Sequence, residues 1–217
     1  MEIKNKTIVF IGDSITDMNR EKSNFWDQNH LYGHSFVFLL ASSFGFDRPK
    51  DGIKVYNRGI SGNQSQDLTE RWRIDVLDLN PDIVNILIGI NDVIVSVHEN
   101  SPVSTDLFEA NLVEMVEKTL KRNPEAKIIF CEPFSFPEAA EERYREAFKK
   151  YVPILSEICC RVSEKYGCVF VSLQNVFDQL YSENPQCGYS HWIWDGIHPT
   201  AAGHRVIEEQ WRKIVLA

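Results

Sequence analysis

The 217-residue chain is 43% hydrophobic and 25% charged, a composition typical of globular proteins that excludes disordered, collagen-like and fibrous classes. Its length predicts one compact domain that spans residues 1–217. The formal net charge of -8 would repel nucleic acid and anionic membrane surfaces, so neither is expected as a partner. The sequence has no apolar run long enough to cross a membrane, and its first residues lead into a strand-like segment, which predicts a cytoplasmic protein.

In chain order, the hydrophobic pattern predicts five short strands that alternate with helices. The strands are expected at residues 7–11, 53–56, 83–88, 127–131 and 168–171. Apolar residues at helical spacing predict helices within 36–43, 68–76, 107–120 and 138–165, and a last helix that begins near Pro199 or Thr200. Pro153 should kink or divide the 138–165 helix, and Asp92 and His98 are assigned to a loop. Apolar strands alternating with helices predict a parallel sheet covered on both faces, hence an α/β fold built as a three-layer α/β/α sandwich.

Polar and glycine-rich segments follow the predicted strands. They comprise residues 12–14, 57–63, 89–92, 132–137 and 195–198. In a parallel sheet of this type, ligands bind beyond the carboxyl ends of the strands. Turn chemistry alone also places glycine, asparagine and aspartate at strand ends, so the composition of these segments does not by itself establish a site.

Ser14 follows the first strand, and Asp195 and His198 precede the last helix. A carboxylate three residues before an imidazole can hold one ring nitrogen while the other takes the proton of a serine hydroxyl. Each block also has a simpler interpretation when taken alone. Ser14 could cap a helix, and Asp195 could do the same with His198 on the surface.

Acyl transfer also needs hydrogen-bond donors for the oxyanion of the tetrahedral intermediate. Gly62 can offer its backbone N–H, Asn91 its side-chain amide, and Ser14 its own N–H. Gly62 could instead serve a turn, and Asn91 an Asx turn. These four blocks, at Ser14, Gly62, Asn91 and the Asp195/His198 pair, all lie at the ends of successive elements. Their common position favours a single catalytic site.

These blocks resemble those of the SGNH (GDSL-type) hydrolases. They read Gly12-Asp13-Ser14, Gly62, Gly89-Ile-Asn91-Asp92 and Asp195-Gly-Ile-His198-Pro199. The resemblance implies a flavodoxin-like fold, a triad of Ser14, His198 and Asp195, an oxyanion hole of Ser14, Gly62 and Asn91, and no metal or cofactor. Segments 10–17, 57–63, 67–72 and 81–93 are similar to those of the intracellular carbohydrate acetylesterases of this family, especially acetylxylan esterases. That similarity implies a small-molecule ester substrate, an acetylated sugar, and a homo-oligomer.

Three residues near the predicted site are candidate substrate contacts, namely Asp13, Arg58 and Trp194. Aromatic faces beside polar groups suit sugar rings, although tryptophans also pack wherever they occur. Asp13, together with Asp17, could instead orient the loop that carries Ser14. The resemblance does not extend to loops 18–31 and 133–138, which are expected to shape the substrate pocket.

Other functions remain open at this point. A flavodoxin-like phosphate-binding module would use Gly59 and Gly62 as a cradle and Asp13 as acceptor, but it leaves Asn91 and the Asp195/His198 pair unexplained. Among esterases, a short-chain acyl esterase, a thioesterase or a lysophospholipase would use the same blocks. A zinc site is not expected, because His30 and His34 lack the glutamate of a His-Glu-x-x-His motif.

Overall fold

A five-stranded parallel sheet forms the centre of the computed structural model, which describes residues 1–23 and 28–217. The strands are β1 (Thr7–Gly12), β2 (Lys54–Asn57), β3 (Ile83–Leu87), β4 (Lys127–Cys131) and β5 (Val169–Val171). Their order in the sheet is β2-β1-β3-β4-β5, and every neighbouring pair is parallel. This order is that of flavodoxin-like folds.

The part of the chain that the structure describes contains nine α-helices and four short 3-10 helices. The α-helices are α1 (Ser14–Asp17), α2 (Gln28–Tyr32), α3 (Phe36–Asp47), α4 (Ser65–Asp75), α5 (Ile90–His98), α6 (Thr105–Arg122), α7 (Glu142–Tyr166), α8 (Gln174–Glu183) and α9 (Ala201–Val215). Within the described residues, no helix is both long enough and apolar enough to cross a membrane.

Two hydrophobic cores lie on opposite faces of the sheet. Along β1, Val9 and Ile11 face the core formed with α4, α5, α6 and α7, whereas Ile8 and Phe10 face the core formed with α3, α8 and α9. Successive side chains of a strand point to opposite faces, so a strand covered on both sides must be apolar throughout. The predicted α/β/α sandwich is therefore confirmed.

The sheet topology brings three loops together. From β1 the chain passes to β2 on one side and then crosses to β3 on the other, which makes this the switch point of the sheet. The ends of β1 and β3 are level, because Gly12 pairs with Leu87. A Cβ on Gly12 would lie 2.2 Å from the Leu87 carbonyl oxygen, so only glycine allows this approach. The segments that carry Ser14, Gly62 and Asn91 all leave the sheet here.

One local prediction is wrong, and of the kink or division predicted at Pro153 the division does not occur. Asp92 and His98 lie in α5, which begins directly after Gly89, and not in a loop. Polar residues at a strand end suggest a turn, but Ile90 and Val93 are buried and draw this segment into a helix. Pro153 does not divide α7, which runs through it without interruption. Packing of Val152 and Leu155 in the core outweighs the one hydrogen bond that a proline removes.

The two loops that the resemblance left out differ in what they contribute. In loop 133–138, Phe134 and Phe136 are buried against Phe177 of α8, so part of this loop belongs to the core. Residues 24–27 of loop 18–31 lie outside the described residues.

Candidate active site

Ser14 is the first residue of α1, and its hydroxyl points to an imidazole. The preceding residue, Asp13, caps the helix, because its carboxylate accepts a hydrogen bond from the N–H of Ile15 at 2.9 Å. Ser14 is therefore not the cap, and its Oγ lies 2.8 Å from Nε2 of His198. These two residues are 184 positions apart in the chain.

Asp195 holds the other side of His198. One carboxylate oxygen accepts the N–H groups of Ile197 and His198 at 3.2 and 2.8 Å, and the other lies 2.6 Å from Nδ1 of His198. The following helix, α9, is capped by Thr200, whose hydroxyl accepts the N–H of Gly203. Asp195 thus orients the imidazole, and the alternative in which it caps α9 is wrong.

The electrostatics of this pair set the protonation of the ring. Burial raises the pKa of Asp195, but the hydrogen bonds and charge of His198 outweigh it and leave the pKa below its usual value. Burial lowers the pKa of His198, but the hydrogen bond and charge of Asp195, with the charge of Asp13, outweigh it and raise the pKa above its usual value. An ionised carboxylate only accepts, so Nδ1 carries the proton and Nε2 of the neutral ring accepts from the Ser14 hydroxyl.

Gly62 lies in a tight turn next to Asn91. The turn closes through a hydrogen bond of 3.2 Å from the N–H of Asn63 to the carbonyl of Ile60, and Gly62 occupies its third position with φ of +86°. A positive φ at this position favours glycine. The Asn91 amide donates to the carbonyl of Asn63 at 3.0 Å, which joins the start of α5 to this turn. The space beside Gly62 is open, since a Cβ there would meet no atom within 4 Å.

Asp17 supports the same turn from the other side. Its carboxylate accepts the N–H of Ser61 at 2.9 Å and the Ser61 hydroxyl at 2.8 Å, and Lys22 lies 3.2 Å away. Since Asp17 is also the last residue of α1, it ties the helix that carries Ser14 to the turn that carries Gly62. The expectation that Asp17 orients this region therefore agrees with its contacts.

A further polar network was not predicted from the sequence. The half-buried carboxylate of Asp92 accepts the N–H and hydroxyl of Ser65, and Asn111 donates to that hydroxyl at 3.0 Å. Burial raises the pKa of Asp92 to about 6. The network joins the first turns of α4 and α5, and only the adjacency of Asp92 to Asn91 could have indicated it from the sequence.

Asp13 does not face the site surface. It is only 1% exposed, and burial raises its pKa to about 7. As a buried helix cap it supports Ser14 from within, so its assignment as a substrate contact is not supported by its position.

The burial of Asp13 also argues against the phosphate-binding module, in which Asp13 would be the phosphate acceptor. Gly59, the other residue of the proposed phosphate cradle, instead packs against α1, because a Cβ there would lie 2.3 Å from the backbone nitrogen of Asp17.

Trp194 lies on the surface beside His198. Its indole is 57% exposed and stacks on the imidazole, with 5.6 Å between ring centroids and 18° between planes. A cavity of about 340 Å³ next to it is lined in part by Tyr144 and Asp195. The other candidate, Arg58, is half-buried beyond β2 and lines a different cavity of about 450 Å³ with Arg20, Lys54 and Tyr56.

Comparison with known proteins places this geometry in a family. The profile of the GDSL-like lipase/acylhydrolase family matches residues 10–206. The chain belongs to this family. It is 32% identical over 205 residues to an acetylxylan esterase from Geobacillus stearothermophilus, which covers 92% of this chain and 89% of that protein.

Solved structures of GDSL-like proteins share the fold over nearly the whole chain. A protein from Parabacteroides merdae assigned to the GDSL-like lipases superposes with a TM-score of 0.87 at 30% identity, over 97% of this chain and 95% of that one. The acetylxylan esterase Axe2 from Geobacillus stearothermophilus superposes with a TM-score of 0.83 at 28% identity, over 99% and 96%. As a member of the GDSL-like family, the protein is a carboxylic ester hydrolase.

Proposed function

We propose that the protein is a serine esterase that removes acetyl groups from sugars, with acetylated xylo-oligosaccharides as its substrate class. The observation that carries the proposal is the continuous contact from Ser14 through His198 to Asp195, at 2.8 and 2.6 Å. The similarity to an acetylxylan esterase over most of both chains supports the acetyl group as the acyl part.

Ser14, His198 and Asp195 divide the reaction between them. Nε2 of His198 takes the Ser14 proton as Oγ attacks the ester carbonyl, and Asp195 stabilises the imidazolium that forms. The imidazolium then gives its proton to the leaving sugar oxygen, and an acetyl-enzyme remains on Ser14. A water molecule, activated by the same ring, releases acetate and restores the serine.

Three donors serve the oxyanion in both steps. They are the N–H of Ser14, the N–H of Gly62 and the side-chain amide of Asn91. The Gly62 N–H takes no part in the hydrogen bond that closes its own turn, and the space beside it is open. The Asn91 amide has two hydrogens and uses one for the Asn63 carbonyl, so the second serves the oxyanion.

We assign Trp194 to a contact with the sugar part of the substrate. Its exposed indole extends the surface beside the general base, where the leaving group must lie to receive a proton, and flat aromatic faces suit the apolar face of a pyranose. Arg58, which lines the separate cavity beyond β2, is assigned as a second polar substrate contact, because it lies four residues before Gly62.

Acyl preference tests the substrate assignment. We expect acetate release from acetylated xylo-oligosaccharides, and a fall in kcat/KM for p-nitrophenyl esters as the acyl chain lengthens beyond acetate. A Ser14→Ala variant measured in parallel removes any contribution from spontaneous hydrolysis. A preference for long acyl chains would instead identify a lysophospholipase-like or general acyl esterase.

The pH profile of kcat/KM should show an acidic limb centred above the usual pKa of a histidine. His198 acts as a base only when neutral, and its pKa is raised because Asp195 and Asp13 outweigh the effect of burial. Activity is therefore full above the raised pKa and is lost as the pH falls through it. Rates measured from about pH 5 to about pH 9 check this, and a flat profile through the acidic range would remove His198 from the role of base.

The remaining proposals concern the state of the protein in the cell. We assign residues 1–217 to a single domain that works in the cytoplasm as a homo-oligomer, in line with the resemblance to intracellular acetylesterases. The net charge of -8 is compatible with the proposed substrate, because it does not repel an uncharged acetylated sugar. Cell fractionation and light scattering after gel filtration measure the location and the mass.

A further inference from the structure

Arg71 of α4 connects three of the segments that meet at the site. Its side chain is only 15% exposed and donates four hydrogen bonds. Nε bonds to the side-chain oxygen of Asn63 at 2.8 Å, Nη1 to the carbonyl of Arg58 at 2.8 Å, and Nη2 to the carbonyl of Gly12 at 3.2 Å. The fourth bond, from Nη1 to the carboxylate of Asp75 at 2.7 Å, fixes the guanidinium on its own helix.

Each of the three loop partners lies within four residues of a proposed oxyanion donor. Gly12 ends β1, two residues before Ser14. Arg58 and Asn63 lie on either side of Gly62, so the guanidinium bonds both ends of the loop that carries it. The Gly12 carbonyl also accepts the N–H of Ile60 at 3.0 Å, which draws the same loop against the end of β1.

The direction of the Gly62 N–H depends on the orientation of one peptide plane. Asp17 bonds the N–H and hydroxyl of Ser61, the residue before Gly62, and Asn91 and Arg71 bond the carbonyl and the side chain of Asn63, the residue after it, so the plane is fixed from both ends. A donor stabilises an oxyanion strongly only at about 2.7 to 3.1 Å from the position the charge will occupy. A small rotation of the turn would therefore weaken the Gly62 donor without closing the site to substrate.

We propose that Arg71 is a positioning residue of the oxyanion hole, which it holds by bonding Gly12, Arg58 and Asn63 with one rigid group. The inference rests on the esterase function proposed above. A planar guanidinium presents its donors in a fixed arrangement, whereas a lysine ammonium is a point charge on a flexible chain and cannot bond these three oxygens at once. Loss of the guanidinium should thus impair the transition state more than substrate binding.

Kinetics of Arg71→Lys and Arg71→Met with p-nitrophenyl acetate test the proposal. We expect kcat to fall about 10-fold for the lysine variant and towards about 10²-fold for the methionine variant, the loss typical of one oxyanion donor. KM should stay within about 3-fold, because the substrate contacts remain. The acidic limb of the pH profile should not move, since Asp195 and Asp13 set the pKa of His198. Arg73→Lys, on the exposed face of the same helix, is the matched control and should keep the unmodified rate.

A double variant separates positioning from general destabilisation. Because Arg71 and Asn91 both act on Asn63, Arg71→Lys combined with Asn91→Ala should lose less activity than the product of the two single losses. The proposal would be overturned if the losses of the two single variants multiplied in the double variant. It would also be overturned if the Arg71 variants had an unchanged kcat, if only their KM rose, or if their loss of rate merely matched the fraction of protein unfolded at the assay temperature. If Arg71→Met does not fold, the lysine variant decides the question.

If the unmodified protein has no esterase activity, the proposed function fails and the inference fails with it, whereas an active protein insensitive to Arg71 contradicts the inference alone.

Discussion

Substitution of Ser14 by alanine should abolish ester hydrolysis, with a loss on the order of 10⁶-fold in kcat. In the proposed mechanism the Ser14 Oγ is the attacking atom, and no other described side chain occupies the position 2.8 Å from Nε2 of His198. The residual rate should come from the oxyanion donors and binding alone. Hydrolysis of p-nitrophenyl acetate measures the loss, and labelling by a serine-directed fluorophosphonate should disappear with it.

The fold should survive this substitution. Ser14 is half-buried and gives up one hydrogen bond, whose net contribution to the free energy of unfolding is about 1 kcal/mol. The helix cap is unaffected, because Asp13 provides it. Ser182→Ala, at an exposed position of α8, is the matched control and should keep full activity and labelling. A Ser14→Ala protein that still turned over the ester would show that another residue is the nucleophile.

Asp195→Asn should lower kcat by about 10⁴-fold while leaving the loop nearly unchanged. The asparagine amide can still accept the N–H of His198 from its oxygen, but its NH₂ group would face Nδ1 as a donor. The ring would then carry its proton on Nε2, the nitrogen that must accept the Ser14 proton. The reaction would be blocked by the wrong tautomer and not by loss of the ring.

The same variant should also move the pH profile. In the native protein the hydrogen bond and charge of Asp195 raise the pKa of His198 against the effect of burial. Without that charge the pKa falls, so the acidic limb of the residual activity should shift to lower pH. Asp178→Asn, exposed on α8, controls for the loss of one negative charge from the molecule. An unshifted limb, or activity within about 10-fold of the unmodified rate, would show that Asp195 does not orient the base.

The strand and site predictions came from short-range pattern. Four of the five strands are nearly continuous in apolar residues, so their positions follow from the sequence to within a residue or two. The glycine and polar residues that end the strands could be located for the same reason. Since a parallel sheet aligns the carboxyl ends of its strands, the blocks at Ser14, Gly62 and Asn91 could be expected to meet.

Secondary-structure predictions from the local sequence pattern failed where packing in the core determined the structure. Asp92 and His98 follow a strand in a polar context, yet the apolar residues between them draw the segment into α5. Of the kink or division expected at Pro153, the division is prevented by the core packing of α7. Helix α8, which no strong pattern indicated, is stabilised in part by Glu132, whose carboxylate accepts the N–H groups of Leu173 and Gln174 from about forty positions earlier.

The sequence by itself determined the α/β architecture and the positions of the four blocks to which we assign the chemistry, because both follow from the pattern of residues close together in the chain. Only the tertiary structure decided between the alternatives for each block. It shows that Asp13 and Thr200 cap the helices, which leaves Ser14 and Asp195 to bond His198. It alone reveals Arg71, whose partners at Gly12, Arg58 and Asn63 lie 59, 13 and 8 positions away. Hydrogen bonds between such distant residues depend on the register of the sheet and the placement of its helices, and no local pattern encodes them.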